Sequence, residues 1–277
     1  MRTARRLAAV GVLAGVILAL TQLLAPPGEL PEGFVYGVDS YGGITYDQAV
    51  QMKQAGVEVY VQALTALPFS GIMQPPTRVE ALRNAYEAGL TIAGYALVGA
   101  GDNMTGANYI DFARSGVPDD LWDALAFVAV DFEVPSASYE VVVGALDRTQ
   151  ELGKGRVLYT NYNSWVNYLG NPAIPPDTRL WNAYWDNHAD LDYGGLQFGG
   201  LGVGDVLGEQ WSGAVQEYGL NVDRDIFRLD VLGLPPVPTP EPTPVLLPSP
   251  PSPTPPPAPS PPTMPPIRPP CCCYCSH

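Results

Sequence analysis

Two carboxylates, Asp131 and Glu133, close the apolar run Ala126-Phe127-Val128-Ala129-Val130-Asp131-Phe132-Glu133-Val134. Such a run reads as a strand covered on both faces, the pattern of parallel α/β sheets. Side chains alternate along a strand, so Asp131 and Glu133 project to one side and Phe132 to the other. Two acids that close, at the end of a buried strand, repel, and their pKa values are pushed apart. One can hold a proton at neutral pH while the other stays charged, the division of labour that glycoside hydrolysis uses. An acid pair also marks the point where a strand simply leaves the core. The pair therefore takes its meaning from the rest of the chain.

Elements able to position the pair alternate along residues 33–234. Strands are expected at 34–39, 57–64, 90–98, 126–134 and 156–160. Helices are expected at 45–55, with Thr45 as cap and Gln48 three residues on, and at 77–88, 119–124 and 138–152. Gly56, Gly89 and Gly153 stand where three of these helices stop. Beyond residue 160, short strands at 179–185, 208–211 and 225–231 follow without convincing helices between them. The pattern predicts an α/β fold: one globular domain forming an irregular TIM-like (β/α)5(β)3 barrel, without internal sequence repeats. Asp39, Asp131, Glu133, Tyr159, Asn161, Trp181, Tyr184 and Trp185 fall at C-terminal strand ends, which in a barrel converge on one face. Each aromatic alone also fits packing. Beside acids, aromatic faces offer what the apolar faces of sugar rings stack on.

The flanks differ in composition from this domain. Residues 1–6 carry three arginines, and residues 7–25 are apolar except for Thr21 and Gln22. This is near the lower length limit for a spanning helix and reads as a secretory signal or, lacking a clean small-x-small site before Pro26-Pro27, an uncleaved membrane anchor. Residues 1–32 thus form an anchor and short linker, and the protein is expected to be secreted or membrane-anchored and extracytoplasmic. Residues 235–270 are mostly Pro, Ser and Thr, an extended segment unable to build a core. All four cysteines lie in 271–277, Cys271-Cys272-Cys273-Tyr274-Cys275-Ser276-His277. Adjacent thiols make a poor four-ligand metal site; intermolecular disulfides or an export-linked tail fit as well. The domain's one histidine, His188, lies near Asp186 and Asp190 and reads as a surface residue. No metal or cofactor is expected, which leaves a metal-dependent deacetylase or phosphodiesterase without support. A formal charge of −14 argues against nucleic acid as a partner.

Further motifs follow in order. They are Gly37-Val38-Asp39-Ser40, Ala88-Gly89-Leu90 leading to Gly94-Tyr95, Val130-Asp131-Phe132-Glu133, and Leu158-Tyr159-Thr160 with Ser164-Trp165. Then come Leu180-Trp181-Asn182-Ala183-Tyr184, Gln210-Trp211-Ser212-Gly213 and Asn221-Val222-Asp223-Arg224-Asp225-Ile226-Phe227. In this order they resemble glycoside hydrolase family 25, the peptidoglycan-cleaving lysozymes, or a closely related glycoside-hydrolase-like barrel. The resemblance implies cleavage of the β-1,4 bond between N-acetylmuramic acid and N-acetylglucosamine by a monomer whose partner is peptidoglycan or a related glycan. It makes Glu133 the general acid and Asp131 the group that stabilises positive charge or orients the 2-acetamido substituent. Asp39 and Asp223 match the other two site carboxylates, Asp223 being preferred to Asp225 by the Val-Asp order. Tyr95, Tyr159, Trp181, Tyr184, Trp185 and Gln210 become candidate substrate contacts. Glu133 is then expected to titrate well above a free carboxyl and Asp131 below its partner. The chain departs from the family at Leu64-Thr65-Ala66-Leu67-Pro68, where a Thr-Glu-Gly-like element is usual, and at Tyr95-Ala96, where Tyr-His is common. Because these positions face substrate, a non-catalytic glycan-binding barrel is the alternative reading.

Overall fold

The computed structural model describes residues 30–65, 75–99, 104–191 and 197–232. The expected anchor helix, the Pro-rich segment and the cysteine-rich end lie outside these residues. Among the described residues, no helix is long and apolar enough to cross a membrane.

Eight strands close a barrel in sequence order: β1 (Phe34–Ser40), β2 (Val57–Ala63), β3 (Thr91–Leu97), β4 (Val128–Asp131), β5 (Arg156–Thr160), β6 (Thr178–Ala183), β7 (Val206–Glu217) and β8 (Leu220–Arg228). Neighbours from β1 to β7 are parallel, whereas β8 runs antiparallel to both β7 and β1. Helices α1 (Tyr46–Gln54) and α2 (Pro75–Glu87) follow β1 and β2. Two helices, α3 (Gly106–Ser115) and α4 (Asp119–Ala124), separate β3 from β4, and α5 (Tyr139–Glu151) follows β4. The fifth crossover holds only one π-helical turn, Ser164–Tyr168, and a short α6 (Leu229–Leu232) follows β8. The irregular barrel expected from the sequence is therefore the observed fold.

Local chemistry sets several boundaries. Thr45 closes a capping box on α1: its hydroxyl accepts from Gln48 N at 3.3 Å, and Gln48 Oε1 accepts from Thr45 N at 2.9 Å. Ser138 caps α5 by accepting from Val141 N. Gly56, Gly89 and Gly153 follow their helices at φ 90°, 81° and 79°, a conformation that β-carbons disfavour.

Three expectations need correction. The strand carrying the acids ends at Asp131, so Glu133 lies two residues past the ladder, although Phe132 N still donates to Tyr159 O. Helix α3 lies where no helix was expected. β7 extends to Glu217 and β8 begins at Leu220, joined by Tyr218 and Gly219 at φ 52° and 74°. Two consecutive positive φ values are those of the tight turns that match strand twist. Asp223 consequently sits inside β8, and 229–231, expected as the end of a strand, lie in α6.

Apolar side chains fill the barrel, among them Val59, Val61, Phe127, Ala129, Trp181 and Phe227. The Phe227 ring fits because β-carbons at Gly37 and Gly208 would stand 2.4 and 2.5 Å from its atoms. Outside the barrel, Met52, Leu82 and Ile92 pack under α1 and α2, and Ile110, Val130 and Leu146 under α3 and α5. Burial on both faces is what made β4 read as a continuous apolar run.

Candidate active site

The C-terminal ends of the parallel strands deliver the acids to one mouth. Asp39 is the penultimate residue of β1, Asp131 the last of β4, and Glu133 stands just beyond it. Because β8 is reversed, its early residues lie at this same end, and Asp223 pairs across the ladder with Asp39. Asp39, Asp131, Glu133 and Asp223 line a single pocket of about 70 Å³ with Tyr95, Tyr159, Trp181 and Gln210. A larger pocket of about 320 Å³ adjoins it, lined by Asn161, Tyr162, Asn163, Asn182, Tyr184 and Trp185 among others. Glu133 lines both pockets and stands at their junction.

The ten candidate site residues thus divide between two connected pockets. Eight gather at the acids, while Tyr184 and Trp185 belong to the larger pocket. Trp181 is 1% exposed and packs edge-on or tilted against Tyr95, Phe127, Tyr159 and Phe227, so it forms the floor of the acid pocket. Trp185 is 61% exposed and offers an open aromatic face. Asn163 and Asn182 were not singled out from the sequence; amides in a strand end or loop carry no periodic signal. His188 is exposed, its backbone N–H donating to Asp186 Oδ1 at 2.8 Å. Among the described residues, no group of histidine, cysteine and acidic side chains is arranged to hold a metal ion.

Gln210 organises the cluster. Trp185 Nε1–H donates to Gln210 Oε1 at 2.6 Å, and the Tyr159 hydroxyl donates to the same oxygen at 2.9 Å. An indole N–H can only donate, so this contact assigns the amide oxygen. The amide Nε2 therefore faces the acids, donating to Asp39 Oδ2 at 2.7 Å and reaching Asp223 Oδ2 at 3.4 Å. Asp223 also accepts from Ala214 N.

Every acid of the cluster is displaced upward. Burial pushes Asp39 up to about 8, with repulsion from Asp223 adding and hydrogen bonds from Gln210 and Asp225 opposing. Asp131 is held well above the usual carboxylate range by burial, then by Glu133 and Asp39. Glu133 is raised by desolvation and by Asp223, partly offset by Tyr159. Desolvation raises Asp223 as well, against the Ala214 N–H. Asp131 is 5% exposed and its Oδ1 has no hydrogen-bond partner among the described groups, whereas Glu133 stands at the open rim. Glu133 is thus raised as expected, and Asp131, the deeper of the two, is raised with it. Asp225, passed over in the sequence in favour of Asp223, is buried beneath the pocket, where it accepts from Trp181 Nε1 at 3.0 Å and contacts Asp39. Its only sequence signal was its spacing two residues from Asp223.

The Tyr159 hydroxyl has one proton and two neighbours, Gln210 Oε1 and the Glu133 carboxyl. Donated to Glu133, that proton favours the carboxylate. Donated to Gln210, it leaves the phenolic oxygen to accept from a protonated Glu133. Glu133 is thereby supported in both states, as an acid that gives up and regains a proton must be.

Solved structures share this architecture. A muramidase from Acremonium alcalophilum superposes with a TM-score of 0.52 at 14% identity, covering 72% of this chain and 97% of its own. The catalytic domain of endolysin Ply40 from bacteriophage P40 of Listeria monocytogenes gives 0.51 at 14% identity, covering 74% and 98%. No family model matches the chain. No curated protein matches it either. At these identities the likeness establishes the fold, the barrel of a muramidase and an endolysin catalytic domain.

Proposed function

We propose that the chain is an exported or membrane-anchored glycoside hydrolase cleaving the β-1,4 bond between N-acetylmuramic acid and N-acetylglucosamine in peptidoglycan. The observation that carries this reading is the convergence of Asp39, Asp131, Glu133 and Asp223 on one pocket, with Glu133 at its junction with an aromatic-rimmed neighbour. A glycan laid across both pockets brings its glycosidic oxygen to the junction. Glu133, raised and reversibly protonated, gives its proton to that oxygen as the bond to the anomeric carbon breaks. Asp131 Oδ1, buried without a partner, accepts from the 2-acetamido N–H and holds that group beside the carbon where positive charge develops. Water then completes the cleavage, with Glu133 taking back its proton. Asp223, whose carboxylate is supported by the Ala214 N–H, supplies the negative field that favours this charge. The protein acts outside the cytoplasm as a monomer, with residues 1–25 as its membrane attachment. Its fold likeness to a muramidase and an endolysin domain agrees with a cell-wall glycan as substrate.

One observation favours a second reading, a glycan-binding barrel without turnover. With Asp39 pushed up to about 8 and Asp131 held well above the usual carboxylate range, the cluster offers sugar hydroxyls both donors and acceptors. Glu133→Gln separates the two readings on purified cell wall, by reducing-end release beside a binding assay. We expect hydrolysis to fall by at least about 10²-fold while binding is kept. No release by either protein with intact binding leaves the binding barrel, and equal release by both removes Glu133 as the acid.

A further inference from the structure

Asp225 is the carboxyl of this cluster that lines neither pocket, and it is completely buried. Its Oδ1 accepts from Trp181 Nε1, but its Oδ2 is buried and no described group donates to it. Leaving a charged oxygen in that state is costly. The neighbour that resolves the problem is Asp39. In the β1–β8 ladder, Gly37 faces Asp225 and Asp39 faces Asp223, so Asp39 and Asp225 are diagonal neighbours on one face and their carboxyls act directly on each other. A β-carbon at Gly37 would stand 3.2 Å from Asp225 Cβ, so the glycine leaves the acid its space.

Two neighbouring carboxyls held out of water cannot both stay charged, and a proton on one of them lets it donate to the other. Asp39 already accepts from Gln210 Nε2 at 2.7 Å and borders the pocket; Asp225 Oδ2 has no donor and no solvent. The proton therefore belongs on Asp225. The ionisable groups facing it are Asp39 on β1, Asp223 on its own strand and Tyr159 on β5; the two acids favour its neutral form, and Tyr159, itself held well above its ordinary range, is uncharged.

We propose that Asp225 is a carboxylic acid that stays protonated throughout the working pH range and donates its O–H to Asp39, which makes it a positioning residue for the acid cluster. It fixes the Asp39 carboxyl beneath the mouth and gives no proton to substrate. This role deepens the glycosidase reading and rests on it for its activity readout alone.

Two substitutions test it. In Asp225→Asn the amide oxygen still accepts from Trp181 and the NH2 still donates to Asp39, so the variant is a mimic of a neutral acid. In Asp225→Leu the donor is gone. On cell wall, Asp225→Leu should lose on the order of a hundredfold in kcat with little change in KM, as expected for a misplaced group. Asp225→Asn should restore most of that loss and keep the wild-type pH profile. Loss in Asp225→Asn equal to that in Asp225→Leu would overturn the proposal.

The second readout needs no activity and only the conservative variant. A buried acid that keeps its proton when folded, and loses it near pH 4 when unfolded, contributes stability that declines as pH rises above that value. Asp225→Asn lacks this decline, while Asp39, Asp131, Glu133 and Asp223 remain in both proteins. Between about pH 4 and about pH 8 the melting-temperature difference should move by several degrees in favour of Asp225→Asn. A difference independent of pH would overturn the proposal. Should wild type fail to hydrolyse cell wall, the glycosidase reading falls and the melting curves still judge Asp225.

Discussion

Replacing Gln210 by Leu removes the amide that ties together the acids and the aromatic rim, and the effect can be worked contact by contact. Gln210 is 2% exposed. At about pH 6 Asp39, pushed up to about 8, is largely neutral, and the 2.7 Å bond from Gln210 Nε2 is worth about 1 kcal/mol. The buried Tyr159 hydroxyl loses one acceptor but keeps Glu133 beside it, a loss of about 1 kcal/mol. Trp185 is 61% exposed, so water replaces its acceptor at little loss. The 3.4 Å approach to Asp223 is too long to matter much. The sum is about 2 kcal/mol near pH 6.

Above pH 8 the Asp39 bond becomes charge-assisted, worth about 1.5–3 kcal/mol, and the sum rises to about 2.5–4 kcal/mol. The sign follows from linkage. The Gln210 bond lowers the folded pKa of Asp39, so its removal raises that pKa further. A raised folded pKa gives stability that is complete below the unfolded value and is lost as pH climbs through the folded one. The variant therefore falls further behind wild type across and above pH 8. Urea unfolding with linear extrapolation at about pH 6 and about pH 9 measures both penalties. A penalty equal at the two pH values, or under about 0.5 kcal/mol at each, would refute the assigned amide orientation and the Asp39 bond.

Gly37→Ala places a methyl 2.4 Å from the Phe227 ring inside the barrel and should cost about 1–3 kcal/mol, read from the urea midpoint; no change would mean that the ring can move aside freely. Trp185→Ala removes an exposed aromatic face and should weaken binding of soluble cell-wall fragments about five- to tenfold by calorimetry with little effect on melting; unchanged affinity would take the larger pocket out of the glycan path. Asp131→Asn replaces a buried acid held well above its normal range, so its stability relative to wild type should improve as pH rises from about 4 to neutrality; parallel stability–pH curves would show Asp131 to be charged.

The parts of this molecule that were legible in advance are those with strong local signals. β4 and β5 are apolar because helices cover them, and α1 and α5 start at cap residues and stop before glycines. Helix α3 was missed because it begins with a glycine, which normally argues against a helix. Here the glycine serves packing: a β-carbon on Gly106 would stand 2.0 Å from Val141 O and 2.4 Å from Ala145 N on α5, contacts that only the tertiary fold creates. The β7–β8 ribbon was cut short because its outer half is partly exposed and mixed in polarity, with ladder irregularities between Gln210 and Ser212 and between Ser212 and Val215. That shortening displaced Asp223 from its strand and put Asp225 at a strand start, where its burial inside the barrel could not be read. The acids themselves could be listed from sequence, but their depths could not, because depth follows from β4 ending at Asp131 while the chain continues outward to Glu133.

The reversal of β8 also decides how the domain can be held. Phe34 and Arg228 are partners in the β1–β8 ladder, and Leu229 N donates to Gly33 O at 3.0 Å. The polypeptide therefore enters and leaves the barrel side by side, at the pole opposite the acids. An attachment made at residue 33 or at residue 229 therefore pulls from one pole, and the domain immobilised at either position should present its pockets equally to an insoluble polymer.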